Sequence, residues 1–231
     1  MTFPAPPPAG SPGAHRDAPA RPAPRQASGY SLVVPPGWSR IPLRHGTTAA
    51  IREIADQVLA ATPAEGSKDH AAQLHDQITR RLTELAEQAR PLGGVDLYLP
   101  LSPVHGAAIP AAFIVCEGRP PAAGIVDPGH VADHLADAIP GASPVTVDGC
   151  AGARLQSSAS AETILGIAAA SRRVDYLLPV PGHSGQWLIV TFAVSVDGDP
   201  RGAFADLLVE LFDSVMLTFR WVTDHAPPGG A

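Results

Sequence analysis

Apolar positions along the chain change their period several times, and each change marks an element. Tyr30 to Val34 alternates weakly and is rich in Val and Leu, as a strand is. Pro35, Pro36 and Gly37 cannot continue a ladder, and Pro-Gly fits a tight turn. Trp38, Ile41 and Leu43 then mark a short second strand, placed at a sheet edge by Pro42, which has no N–H to donate. Trp38 is the large side chain anchored beneath the turn.

Helical spacing follows. Thr47 or Thr48 caps a helix to about Ala61 with Ile51, Ile54, Val58 and Leu59 on one face, and Pro63 and Gly66 end it. Ser67 caps a second helix with the stripe Ala71, Leu74, Ile78, Leu82, Leu85 and Ala89, closed by Pro91 and Gly93-Gly94. Its other face carries Asp69, Asp76, Arg80, Arg81, Glu84 and Glu87, which belong in solvent.

Val95 to Leu101 is apolar at every odd position, the pattern of a half-buried strand, and Ala111 to Cys116 is its antiparallel partner. Asp127-Pro128 starts a helix that turns Val131, Leu135, Ala138 and Ile139 inward and stops at Pro140-Gly141. A meander comes next, with strands at 145–148, 153–157, 163–169, 174–180 and 186–196. Pro181 to Gly185 makes the hairpin loop before the last of them. In that last strand Leu188, Val190, Phe192, Val194 and Val196 share one face and Trp187, Ile189 and Thr191 the other, so it is covered on both faces and central. Asp199-Pro200 begins a closing helix that presents Phe204, Leu207, Leu208, Leu211, Phe212, Val215 and Phe219 as one broad stripe and ends at Trp221.

These elements make one α/β domain over residues 29–222, between a Pro/Ala-rich tail at 1–28 and a Pro/Gly tail at 223–231. The first tail holds eight prolines, which interrupt every apolar core a secretory signal would need, so it is expected to be disordered in a cytoplasmic protein. A net charge of -6 argues against binding a phosphate backbone. No apolar run reaches the ~18 residues of a membrane-spanning helix. Lys68 is the single lysine beside fifteen arginines, a codon signature of a GC-rich bacterial genome.

The stretch Tyr30-Ser31-Leu32-Val33-Val34-Pro35-Pro36-Gly37-Trp38, the hairpin Val174–Val196 and the helix Ala203–Trp221 together resemble the Mog1/PsbP-like family. The resemblance implies a central antiparallel sheet flanked by helices, an α/β/α sandwich, whose members mostly act by binding other proteins. It brings no catalytic motif. The two helices at residues 47–90 are longer than the simplest members have.

The residues offer little chemistry of their own. His130 and His134 share a helical face as zinc ligands must, but no Glu intervenes to make HExxH, and His70 and His75 point apart. Gly182-His183-Ser184-Gly185 lacks the GxSxG spacing and precedes a strand. Asp175 and Glu162 have no second carboxylate at a defined separation. Cys116 and Cys150, in a strand and after a turn, are packing thiols. No metal, cofactor or catalytic residue is expected.

The sequence therefore reads as a non-enzymatic cytoplasmic module that binds another protein, an accessory to a larger bacterial assembly. Trp38, Trp187, Arg172 and Arg173 are its candidate interface residues, the two tryptophans only if they are exposed rather than core. The alternative is a small-molecule-binding or catalytic domain with a pocket between the sheet and the helices of residues 47–90. Self-assembly through the final helix or an edge strand is a third reading.

Overall fold

The computed structural model describes residues 26–61, 68–101, 108–118, 141–164, 167–196 and 199–223. The helix expected at 127–139, with His130 and His134, lies outside the described residues, as do residues 1–25 and 224–231 of the two tails, whereas Ala27 and Ser28 belong to a strand that pairs with one ending at Thr223.

Seven antiparallel strands form the main sheet: β2 (Trp38–Pro42), β3 (Gly94–Pro100), β4 (Ala111–Gly118), β5 (Ala142–Val147), β6 (Cys150–Ile164), β7 (Ile167–Pro179) and β8 (Trp187–Val196), in the order β2-β3-β4-β8-β7-β6-β5. A separate two-stranded ribbon pairs β1 (Ala27–Ser31) with β9 (Arg220–Thr223). Among the described residues the helices are α1 (Thr47–Ala61), α2 (Lys68–Ala89) and α3 (Ala203–Leu217), and a 3-10 turn at Arg90–Leu92 follows α2.

Alternation along β3 assigns the two faces. Leu97 joins Ile41, Leu43, Ile51, Ile54 and Leu82 in a core beneath α1 and α2. Tyr98, one residue on, joins Phe113, Phe192 and Phe212 in the larger core beneath α3. The sheet thus has helices on both sides, an α/β/α sandwich. Phe212 centres the larger core, stacked on Phe192 at 4.8 Å and tilted against Phe113 at 5.7 Å. The ribbon extends this layer past the end of α3, with Tyr30 stacked on Phe219 at 5.6 Å.

The turn at Pro35–Trp38 is as expected: Gly37 has φ 83° and Trp38 N–H donates to the Pro35 carbonyl at 3.2 Å. The segments it joins, however, belong to different sheets, because β1 pairs with β9 and β2 with β3. The strand expected at 163–169 is instead the far end of the β6–β7 hairpin, in which Ile164 faces Ile167. The final helix stops at Leu217 and not at Trp221. Thr218 Oγ1 bonds the Val215 carbonyl at 2.7 Å and receives Val33 N–H at 2.9 Å, and the chain then turns into β9. That helix also begins at Ala203, three residues after Pro200, with Gly202 as its N-cap. Strand β8 is central, but its Ile189, Thr191 and Ala193 side is only half-buried, unlike the side beneath α3.

Candidate functional site

Helix α3 buries one face completely: Ala205, Leu208, Val209, Phe212, Val215 and Met216 all lie in the core. At 100° per residue they occupy about a third of the circumference. The stripe expected from sequence was broader, and the structure leaves part of it outside. Phe204 is 52% and Leu207 61% exposed, and Leu211 is half-buried beside them. These three succeed one another at three- and four-residue spacing and so form one line along the helix. Leu217, also exposed, continues the outer face at the last turn.

Charge on α3 is one-sided. Its acids are Asp206, Glu210 and Asp213, and it has no Lys, Arg or His. Asp206 is held by Arg172 of β7. Asp213 accepts Arg154 Nε at 3.0 Å, Arg154 Nη2 at 2.9 Å and the Tyr176 hydroxyl at 2.8 Å. Glu210 is exposed next to Leu207 and its carboxylate meets no partner among the described residues.

The four residues singled out from sequence do not converge. Arg172 and Arg173 are neighbours on β7 and therefore point to opposite faces: Arg172 pairs with Asp206 of α3, and Arg173 pairs with Asp175 on the side of α1 and α2. Trp187 is 6% exposed at the start of β8, opposite Pro179 and Gly118, so it is a packing residue and not a surface anchor. Trp38 is half-buried against Phe113, with ring centroids 5.6 Å apart. His183 braces the hairpin loop, its Nε2 lying 2.9 Å from the Ala27 carbonyl oxygen. Burial raises the thiol pKa of both Cys116 and Cys150. Among the described residues no group of three or more His, Cys, Asp or Glu is placed to hold a metal, and no helix is long and apolar enough to cross a membrane.

One polar cluster escaped the sequence reading. Asp96, 1% exposed, sits in the middle of β3 on the α3 side of the sheet. It accepts Arg40 Nε at 2.7 Å and Arg40 Nη2 at 3.1 Å, and the Tyr30 hydroxyl donates to it from the ribbon. The Tyr30 hydroxyl lies 3.4 Å from the Tyr98 hydroxyl, and burial pushes both phenols above their usual pKa, keeping them protonated donors. A polar cleft of about 540 Å³ opens beside this cluster, between ribbon and sheet. Its remaining ion pair joins Arg44 to Glu117 at 2.6 Å. Each charge there has its counterion, so the cleft presents no surplus charge to a ligand. Its structural effect is plain: a buried carboxylate ties the ribbon to the edge of the main sheet.

Between α2 and the sheet lies a second hollow of about 290 Å³, where the alternative reading placed a pocket. Ala112 of β4 and Ala193 of β8 are directly opposite partners, and their small side chains leave its floor low. Leu85, Ala89 and Leu92 form the helix wall; Gln88 and Thr191 are its polar residues. No convergent set of polar groups points into it, as a catalytic pocket would require.

No protein-family model matches the chain, and no curated protein matches it in sequence. Among solved structures it is similar to LpqN of Mycobacterium tuberculosis, a protein involved in cell envelope biogenesis, at 14% identity and a TM-score of 0.40, over 89% of this chain and 87% of that one. It is also similar to Mog1p, the Ran-binding protein of Saccharomyces cerevisiae, at 11% identity and a TM-score of 0.42, over 84% of this chain and 91% of that one. Mog1p is a member of the Mog1/PsbP-like family that Tyr30–Trp38 and the C-terminal hairpin and helix resemble. At these values neither likeness bears on what this chain binds.

Proposed function

We propose that this chain is a non-enzymatic module that binds another protein through the outer face of α3, as a cytoplasmic accessory of a larger bacterial assembly. The observation that carries this reading is the exposure of Phe204 and Leu207 on a helix whose inner face is already filled. Two large apolar side chains in line, beside a half-buried third, cost solvation and add nothing to the core. Clustered aromatic and aliphatic side chains of this kind anchor interfaces. Trp38 and the two arginines then serve the fold, and the interface shifts from them to α3.

Affinity purification of the full chain from native extract, with mass spectrometry, tests the proposal when run beside Leu207→Ser. The expected result is one protein retained at stoichiometric level by the natural chain and lost from the variant. Equal retention by both would refute the assignment to α3.

A second reading, a small apolar ligand held between α2 and the sheet, draws on the hollow above Ala112 and Ala193. Its lining supplies contact but few polar groups to orient a substrate, so it supports binding and not catalysis.

A further inference from the structure

Resting on the assignment of α3 as the binding face, we infer that its occupant is an amphipathic helix with a basic residue flanking its apolar stripe. An added β-strand is disfavoured at both edges of the main sheet. In β2 the bonds of Gly37 and Leu43 to β3 set the alternation, so Trp38, Arg40 and Pro42 turn their backbone groups outward. Trp38 N–H is taken by Pro35, Pro42 has no N–H, and the Pro42 carbonyl accepts Thr47 Oγ1 at 2.7 Å. In β5 the Gly141–Gln156 bond sets the alternation, so Ala142, Pro144 and Thr146 face outward, with proline in the middle. A proline at the outward position of each edge blocks strand addition there.

The face of α3 suits a helix instead. Phe204, Leu207 and Leu211 form a ridge at the spacing into which a facing helix packs its own three- and four-residue ridges. Charge then selects the partner. Asp206 and Asp213 are neutralised from β7 and β6, which leaves Glu210 as the α3 carboxylate beside the ridge with no partner among the described residues. A second copy of α3 across a two-fold axis would bring a second Glu210 and no base to the contact. An anionic membrane surface would meet the same carboxylate. A helix with Lys or Arg next to its apolar stripe complements it.

Two fluorescent 18-residue probes test this, one a Leu/Lys amphipathic helix and the other the same helix with Glu for Lys, titrated with the full chain. The Lys probe is expected to bind, to weaken about tenfold with Leu207→Ser and about threefold with Glu210→Gln. Glu210→Lys is expected to reverse the preference toward the Glu probe. Equal binding of both probes, or a preference that Glu210→Lys does not move, would overturn the inference. So would sedimentation showing a dimer that Leu207→Ser dissociates, or binding to vesicles of anionic lipid that Leu207→Ser abolishes. Those outcomes leave a natural partner's loss from Leu207→Ser untouched, so this inference and the binding reading fail separately.

Discussion

Leu207 and Leu208 are consecutive on α3, yet Leu207 is 61% exposed and Leu208 is 5% exposed in the core with Phe212 and Val215. One helical step of 100° separates a residue that holds the fold from one that is available to a partner. The sequence cannot distinguish them, because both are leucine within one broad apolar stripe. The third dimension does, since the sheet beneath α3 fills only the inner third of the helix.

Stability should divide the same way. Leu208→Ala is expected to lower unfolding free energy by about 2–5 kcal/mol, through lost transfer energy and the cavity left behind. Leu207→Ala is expected to change it by less than about 0.5 kcal/mol. Urea denaturation followed by circular dichroism measures both. A large loss from Leu207→Ala would mean that the residue is structural after all.

The cluster around Asp96 makes a sharper prediction. Arg40→Ala leaves a buried carboxylate with only the Tyr30 hydroxyl for support and, because the guanidinium itself reaches solvent, is expected to cost about 1–2 kcal/mol. Arg40→Met combined with Asp96→Leu removes the charge as well as its partner and should cost less than the single change. A double-mutant cycle of Arg40→Met and Asp96→Leu, made singly and together and unfolded in denaturant, decides it. Additive losses would show that the two side chains act independently.

Much of the architecture was legible because it follows from local period. The limits of α1, the stripe of α2 from Leu74 to Ala89 and the alternation of β8 all come from spacing within one element, although Ala71 is exposed and the buried Ala86 was not expected. What escaped was set by distant pairing. β9 exists because Tyr30 lies opposite Trp221, and nothing near Trp221 distinguishes a frayed helix end from a strand. Asp96 looked like the solvent side of a half-buried strand. Its donors, Tyr30 and Arg40, stand 66 and 56 residues away. The exposed part of the α3 stripe was hidden for the same reason: a helix shows which residues are apolar but not how much of its girth a neighbour covers.

Alkaline pH should destabilise the fold through its tyrosines. Burial raises the pKa of all three, Tyr30, Tyr98 and Tyr176. A phenol whose pKa is higher in the folded than in the unfolded chain contributes stability that is intact below the unfolded value of ~10 and declines as pH rises beyond it. Near-ultraviolet absorbance should therefore show no tyrosine ionisation until the chain unfolds, and the decline should be shallower in Tyr176→Phe. Ionisation near pH ~10 with native circular dichroism retained would contradict this.

Filling the hollow beside α2 separates the two binding readings. Ala193→Leu places apolar atoms over Ala112 and should leave stability unchanged or raise it by about 1–2 kcal/mol. It should abolish uptake of a small apolar dye at that site and leave protein binding at α3 intact. Loss of the protein partner from this variant would move the interface to the groove.

The most direct measurement is carbene footprinting of the full chain, free and in complex with the protein it retains from native extract. The account predicts that labelling falls at Phe204, Leu207 and Leu211 on complex formation and stays constant at Leu92 and Ala193. Protection at Leu92 and Ala193 with α3 still labelled would contradict it.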